Sequence, residues 1–433
     1  MIKNNIFITI MMFLFVFNIP FTFLPFGTAK LFTIMGIVIL FIQITMKKKS
    51  MFFNNKEAKF CFKYSLFLLI GSIFFTLIHN TFDFTITYSY FLFIIEHLLG
   101  SLTIIYLINK KNSISIEYVL RRIVSICFIQ SCLVILMLIS EKIKIFIYSI
   151  LKTGESLYDM GLRYDGIRGL GVASNTTYEL SFVLSIGLII DVYLINKFQN
   201  NKEIFKLSLS YLVICFATIV TARTGLIGVF ISFLILVINY KKKYKECINI
   251  RKIKFILFLF IICFISIVFL NLIFSDFIIL VQEKIIPFAF EAFINLFRNK
   301  SFEMSSTNVL KQMYFPVSFK TLIIGDGRYI NENGIGYYMS TDAGYMRHLL
   351  FSGIFSVFLY DFYFKIFNKI KNNIKYLNYK RLNIIISFLA VYYFLVHAKG
   401  DLLTGGNMAI KVLVLIYLAS GFESKNLKIK QKI

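Results

Sequence analysis

KLSLSYLVICFATIVTARTGLIGVFISFLILVINYKKK, residues 206 to 243, is the stretch on whose reading the fold turns. It is apolar enough for one long membrane span, yet it carries Thr221, Ala222, Arg223, Thr224 and Gly225 at its middle and basic residues at both ends. Basic loops mark the cytoplasmic side of a bilayer, so both flanks lie on one side and the number of crossings between them is even. Two short helices, 206 to 222 and 224 to 240, meeting at Arg223 satisfy that parity.

Working outward, a membrane helix needs about 20 apolar residues, with roughly 17 as the minimum. That ruler finds ten further candidates: 6–26, 28–46, 60–79, 88–109, 122–140, 176–196, 254–274, 343–364, 382–398 and 405–421. A hydrophobic content of 58% and a mean hydropathy of +0.76 exceed what one soluble core can hide. The expected fold is an all-α polytopic integral membrane protein: about twelve transmembrane helices in a single domain over 1–433, both termini cytoplasmic. The loops 47–63, 110–122, 197–206, 241–254 and 365–381, with Lys3 and the tail 425–432, all fall inside and hold 31 of the 47 basic residues. The net charge of +25 therefore speaks for anionic membrane lipids as partners and not for nucleic acid. Six cysteines show no metal-ligand spacing, and none stands where it could form a disulfide in an outer loop. Lys3 followed by an apolar run to about Gly27, with no small-residue cleavage site, reads as a retained first helix.

Two outer connections are long, 141–175 and 275–342, the latter between the ninth and tenth spans. Loops of this length without repeats are usually functional. Phe290, Phe293, Ile294 and Phe297 fall at helical spacing, so helical extracytoplasmic loops are expected, with Ser306 or Thr307 as a cap before Leu310 to Tyr314. No internal repeat is visible, which weighs against a transporter built from duplicated halves.

Candidate chemistry concentrates outside the basic loops. Six of the 16 basic residues there are arginines (Arg163, Arg168, Arg223, Arg298, Arg328, Arg347), against four of the 31 inside. A guanidinium is bidentate toward phosphate and less costly to desolvate than an ammonium, so this side looks built for a phosphorylated ligand. Arg298 reads as an interfacial anchor, and Arg328 equally as an anchor or a ligand contact. Arg347 lies about one turn inside a helix that Ser340, Thr341 or Asp342 would cap, where free amides and the positive dipole end add an anion site. His348 follows, a structural hydrogen-bonder as readily as a proton carrier. The segment GLRYDGIRGLGVASN sets Arg163 and Arg168 around Asp165, and GDGRY brings Asp326 and Arg328 ahead of Glu332, Tyr337 and Tyr338. Paired tyrosines stack on sugars or anchor at headgroups. Glu96, His97, Glu179, Asp191, Asn407 and Lys411 lie inside spans, where polar groups mark functional cavities; Lys411 is the preferred ligand contact among them and Glu96 reads as interhelical glue.

Twelve spans, a large loop before the tenth, TARTGLIG at a hairpin, RGLGVASN entering a span, and GDG followed by YYMSTDAGYMRHLLFSG together resemble the oligosaccharide repeat-unit polymerases of the Wzy type. These stand in one superfamily with the O-antigen ligases. The resemblance implies a multi-pass protein of the bacterial cytoplasmic membrane with its active site on the outer face. Its substrates would be undecaprenyl-pyrophosphate-linked oligosaccharides, with a flippase and a chain-length regulator acting in the same pathway. Catalysis would rest on Asp342, Arg347, Arg223 and Asp165, with Arg163, Arg168, Arg328, Tyr338, His348 and Lys411 binding pyrophosphate or sugar, and with no metal or other cofactor. The base is open among Asp342, Asp165 and Glu332. Ligase-type transfer to another acceptor and a lipid-linked oligosaccharide flippase are the competing expectations.

Overall fold

The computed structural model describes residues 2–46, 55–111, 114–153, 155, 171–173, 177–198, 200–242, 283, 286–289, 291, 294–295, 297 and 305–430. Its helices are α1 Ile2–Phe17, α2 Ala29–Thr45, α3 Lys56–Ile78, α4 Thr85–Leu92, α5 Leu99–Lys111, α6 Ile116–Ile139, α7 Glu141–Ser149, α8 Thr177–Lys197 and α9 Asn201–Thr221. After these come α10 Gly225–Lys242, α11 Ile286–Ala289, α12 Ser305–Gln312, α13 Phe319–Ile324, α14 Gly344–Ser352, α15 Val357–Tyr376, α16 Lys380–His397 and α17 Asn407–Lys430. No strand occurs among the described residues, only two isolated bridges, Phe21 with Leu151 and Ile330 with Tyr337.

Among the described residues eight helical stretches are long and apolar enough to cross a membrane: Lys56–Ile78, Thr85–Lys110, Ile116–Ile139, Thr177–Lys197, Asn201–Thr221, Gly344–Tyr376, Lys380–His397 and Asn407–Leu427. The chain is thus an all-helical polytopic membrane protein. The expected spans at 6–26, 28–46 and 224–240 coincide with shorter apolar helices, and 254–274 lies outside the described residues. The decisive stretch 206–243 does break at Ala222 to Thr224 into α9 and α10.

Local chemistry explains where several helices begin. Asn55, Ser140, Asn200 and Ser318 have extended backbones, and their side chains accept amides of the first turns of α3, α7, α9 and α13. Two expected caps are displaced. Ser306 and Thr307 lie inside α12, which starts at Ser305. The N-cap position of α14 is Ala343 and not Ser340, Thr341 or Asp342, so no side chain caps its first amides; the Thr341 hydroxyl accepts the Ala343 amide at 3.3 Å and donates to the Met313 carbonyl. The expected fourth and tenth spans are also irregular. A π-helical turn, Phe93–Leu98, joins α4 to α5, and a 3-10 turn, Gly353–Ser356, joins α14 to α15.

The chain divides into two compact units. In the first (1–16, 28–119 and 304–433), α2 packs on α5, α3 on α4, and α15 on α16 and α17. In the second (17–27 and 120–303), α8 is the central element, buried along nearly its whole length against α9 and α10. The Ser181 hydroxyl on α8 lies within hydrogen-bond reach of the Thr218 and Ala222 carbonyls, which fixes the α9–α10 turn.

In the first unit the segment after α13 is pressed onto the end of α14. Asp326 and Gly327 donate their amides to the Leu350 and Phe351 carbonyls at 2.6 and 3.0 Å. Gly325 (φ +72°) and Gly353 (φ +57°) make that approach possible, since a Cβ on Gly353 would stand 2.5 Å from the Ile323 carbonyl. A left-handed backbone with a Cβ costs roughly 1–2 kcal/mol before any clash. Gly353→Ala is therefore expected to lower the apparent melting temperature of the detergent-solubilised protein by several degrees. Gly334→Ala, at φ +72° with open space around it, should lower it by much less.

Candidate functional site

Three segments of the first unit converge: residues 325–338, the start of α14, and the turn 398–406 between α16 and α17. Their meeting point is Asp401, whose side chain is 1% exposed. Its Oδ1 accepts the amides of Leu403 and Thr404 at 3.1 and 3.0 Å and lies 3.2 Å from His348 Nε2. Its Oδ2 accepts the hydroxyls of Thr404 and Tyr329. Burial pushes the Asp401 carboxyl up, but the fields of His348, His397 and Arg347 and the His348 hydrogen bond outweigh it and hold the group well below the usual carboxylate range. Asp401 is thus a buried anion. Burial, and then Asp401 itself, pushes the Tyr329 phenol well above its ordinary value, consistent with a permanent donor.

Arg347 stands in the first turn of α14, and side chains there lean back toward the helix start. Its guanidinium carbon lies 3.7 Å from the Tyr329 ring centroid and 3.6 Å from that of Tyr337. The residue is 7% exposed, and among the described residues its guanidinium makes no ion pair and its buried Nε no hydrogen bond. Each aromatic face contributes about 0.5–2 kcal/mol, less than the several kcal/mol that burying a charge costs. Asp401 offsets part of the remainder at a distance. The first amides of α14 carry no side-chain cap, and such a helix start beside a guanidinium can receive an anion.

Tyr329 is held in place from outside. Asp83, between α3 and α4, accepts the amides of Tyr329 and Ile330 at 2.6 and 2.8 Å and both the amide and the hydroxyl of Thr85. The Thr81 hydroxyl donates to the Gly327 carbonyl at 2.6 Å. Burial raises the Asp83 carboxyl, but the Thr85 hydroxyl and these amides prevail and lower it.

One donor atom each from His348, His397 and Asp401 lies within 4.8 Å of the others, the sole such group among the described residues that could hold a metal. Those atoms are already engaged by the protein. His397 Nδ1 accepts the Leu402 amide at 3.2 Å, and both Asp401 oxygens carry at least two donors. We read the cluster as a hydrogen-bonded core that fixes the 398–406 turn against α14, with the two imidazoles stacked 5.4 Å apart.

Of the residues singled out from sequence, Arg347 and His348 lie in this site. Tyr338 is half-buried beside it, donating its amide to the Tyr329 carbonyl, and its phenol is raised by burial and by Asp326. Asp342 is exposed just before α14. Arg328 pairs with Glu332 at 3.0 Å. Lys411, fully buried in α17, meets Glu96 of the π-helical turn at 2.7 Å, so its charge is matched within the protein. Arg223 belongs to the second unit, where it pairs with Glu291. Arg163, Asp165 and Arg168 lie outside the described residues. Asp401, His397, Tyr329 and Asp83 were missed. A signal existed for two of them, since HAKGDLLTGG is a short polar turn on the same side as 322–353 in the charge-based topology, with His397 and Asp401 four apart.

No protein-family model matches this chain, and no curated protein and no solved structure matches it.

The Asp83 clasp has a testable pH dependence. A carboxyl lowered by folding stabilises fully above its ordinary value of 3.8 and loses that contribution as pH falls through the folded value. Hydrogen-exchange protection at Tyr329 and Ile330 should hold from neutral pH down to that point and decline below it. At pH 6, Asp83→Asn should lower the protection by roughly tenfold, the loss of a hydrogen bond to a charged group.

Proposed function

We propose that this chain is a membrane glycosyltransferase that polymerises lipid-pyrophosphate-linked oligosaccharide repeat units, the reading implied by its resemblance to the repeat-unit polymerases. One observation carries it: Arg347 is nearly buried, held between Tyr329 and Tyr337 and, among the described residues, in no ion pair with a carboxylate, at the uncapped start of α14. That is a preorganised planar fork for bidentate contact with two oxygens of an anion such as a phosphate.

In the reaction, the acceptor hydroxyl attacks the anomeric carbon of the lipid-linked glycan, and the bond to the pyrophosphate oxygen breaks. Negative charge grows on that oxygen, and Arg347 with the α14 amides stabilises it as it develops. The hydroxyl proton passes to a carboxylate, for which Asp342, exposed beside this helix start, is the candidate of choice. Tyr329 and Tyr337 keep the guanidinium from rotating, and Asp401 fixes Tyr329 and His348 behind it.

Cells lacking the protein should carry glycans of a single repeat. Arg347→Ala should reproduce this at normal protein level, with a loss in rate of roughly a hundredfold or more. Arg347→Lys should restore little, because an ammonium is a point charge without the bidentate fork. Normal-length polymer in Arg347→Ala would remove this residue from the mechanism. Long polymer left on the lipid carrier in the deletion strain would point to a ligase, and repeat units trapped on the cytoplasmic leaflet to a transporter.

A further inference from the structure

The short helix α13, Phe319–Ile324, has two sides of opposite character. Phe319, Leu322 and Ile323 stand at i, i+3 and i+4, so they share one face. All three are exposed, Phe319 at 77%. Away from that face Thr321 is buried, and its hydroxyl donates to Asp326 Oδ1 at 2.8 Å. The helix packs on α14 and on the Gly353–Ser356 turn.

The level at which α13 sits follows from α3. That helix has 23 residues, about 34 Å at roughly 1.5 Å per residue, against about 30 Å for the hydrocarbon core of a bilayer. Its end at Ile78 therefore stands at a membrane boundary, and the polar run His79, Asn80 and Thr81 follows it. α13 is tied to that end: His79 Nε2 lies 3.3 Å from the Ile324 carbonyl, and the Thr81 hydroxyl donates to the Gly327 carbonyl. Exposed apolar side chains continue on either side of it, Leu77 and Ile78 on α3 and Ile354 and Val357 at the α14–α15 junction, all within membrane-crossing stretches. The face of α13 thus extends a surface that lipid covers.

Ile335 supplies a contrast at equal exposure, 76%. It lies at the tip of the hairpin closed by the Ile330–Tyr337 bridge, between two glycines and near the exposed Glu332 and Asn333. Its surroundings are polar, so water is its neighbour.

We propose that α13 is an interfacial anchor, with Phe319, Leu322 and Ile323 lying among the phospholipid acyl chains of the leaflet at the Ile78 end of α3. Burial of hydrocarbon drives the contact. Lys320, exposed at the edge of the same face, extends its ammonium to the headgroup phosphates. Because α13 leads directly into residues 325–330, the anchor fixes the depth of Tyr329 and of Arg347 stacked on it. The inference concerns the surface that meets lipid and holds whichever reaction the protein performs.

The chain has no tryptophan, so Phe319→Trp, Leu322→Trp, Ile323→Trp and Ile335→Trp each introduce a single indole. The full-length variants are reconstituted into vesicles of phosphatidylcholine and phosphatidylglycerol, with and without chain-brominated phosphatidylcholine. Brominated lipid should quench the emission of the three α13 variants roughly twofold or more and that of Ile335→Trp much less, as insertion of an apolar helix face into the acyl boundary requires. Aqueous acrylamide should give the reverse order. Three positions on one face keep the test decisive if one variant does not fold. Quenching by brominated lipid no greater in the α13 variants than in Ile335→Trp would overturn the proposal. So would α13 emission that brominated lipid leaves unchanged and that shifts to the blue as the protein-to-lipid ratio rises, because the face would then be covered by a second copy of the chain.

Discussion

A buried carboxylate with all its lone pairs in use is the constraint on which the rest of the site depends. Asp401 comes from a turn with no helical frame of its own, and it is ordered by what it accepts: two amides of its own turn, the Thr404 and Tyr329 hydroxyls and the imidazole of His348. Leaving such an anion unpaired would cost several kcal/mol, so the segments that supply donors cannot drift. Tyr329 thereby becomes a fixed wall, and Arg347 can be stacked on it. The ordering runs from carboxylate to tyrosine to guanidinium.

That chain of contacts is reinforced from the other side. Asp83 clasps the backbone of Tyr329 and Ile330, and the paired approach of Gly325 and Gly353 presses the same segment onto the end of α14. A loop between helices is ordinarily the mobile part of a membrane protein. Here residues 325–330 are hydrogen-bonded to the α3–α4 connection and to the end of α14, and they abut the 398–406 turn through Tyr329. Such over-determination is what a preorganised electrostatic site requires, because a cation that must reorganise during the reaction gives back much of its stabilisation.

The intramembrane charges fall into a different class. Lys411 and Glu96 face one another at 2.7 Å within the protein, and Glu96 sits on a π-helical turn. Removing either partner would leave a buried charge uncompensated, so the pair is a structural joint between α17 and the α4–α5 span. Lys411, expected from sequence to contact a ligand, is spoken for by Glu96. Arg223 likewise has a carboxylate neighbour, Glu291, within the second unit. Arg347 differs from both in having aromatic faces in place of an acid.

The amino-acid sequence by itself determined the all-helical membrane class and the break of 206–243 at Arg223, and it singled out Arg347 and His348, which the fold brings to one cluster with Asp401. These follow from local quantities: hydropathy over about 20 residues, the parity of basic loops, and the scarcity of arginine against lysine. Only the tertiary structure decided which charges are matched and which are left open. Arg347 and Lys411 look alike as intramembrane cations in a sequence, but one meets tyrosines and the other Glu96, about 315 residues away in the chain. Asp401, Tyr329 and Asp83 come from three distant segments, and no periodicity links them. Whether a buried polar group is a joint or a receptor is set by the partners within about 3–4 Å of it, and that distance is a property of packing across helices, not of order along the chain.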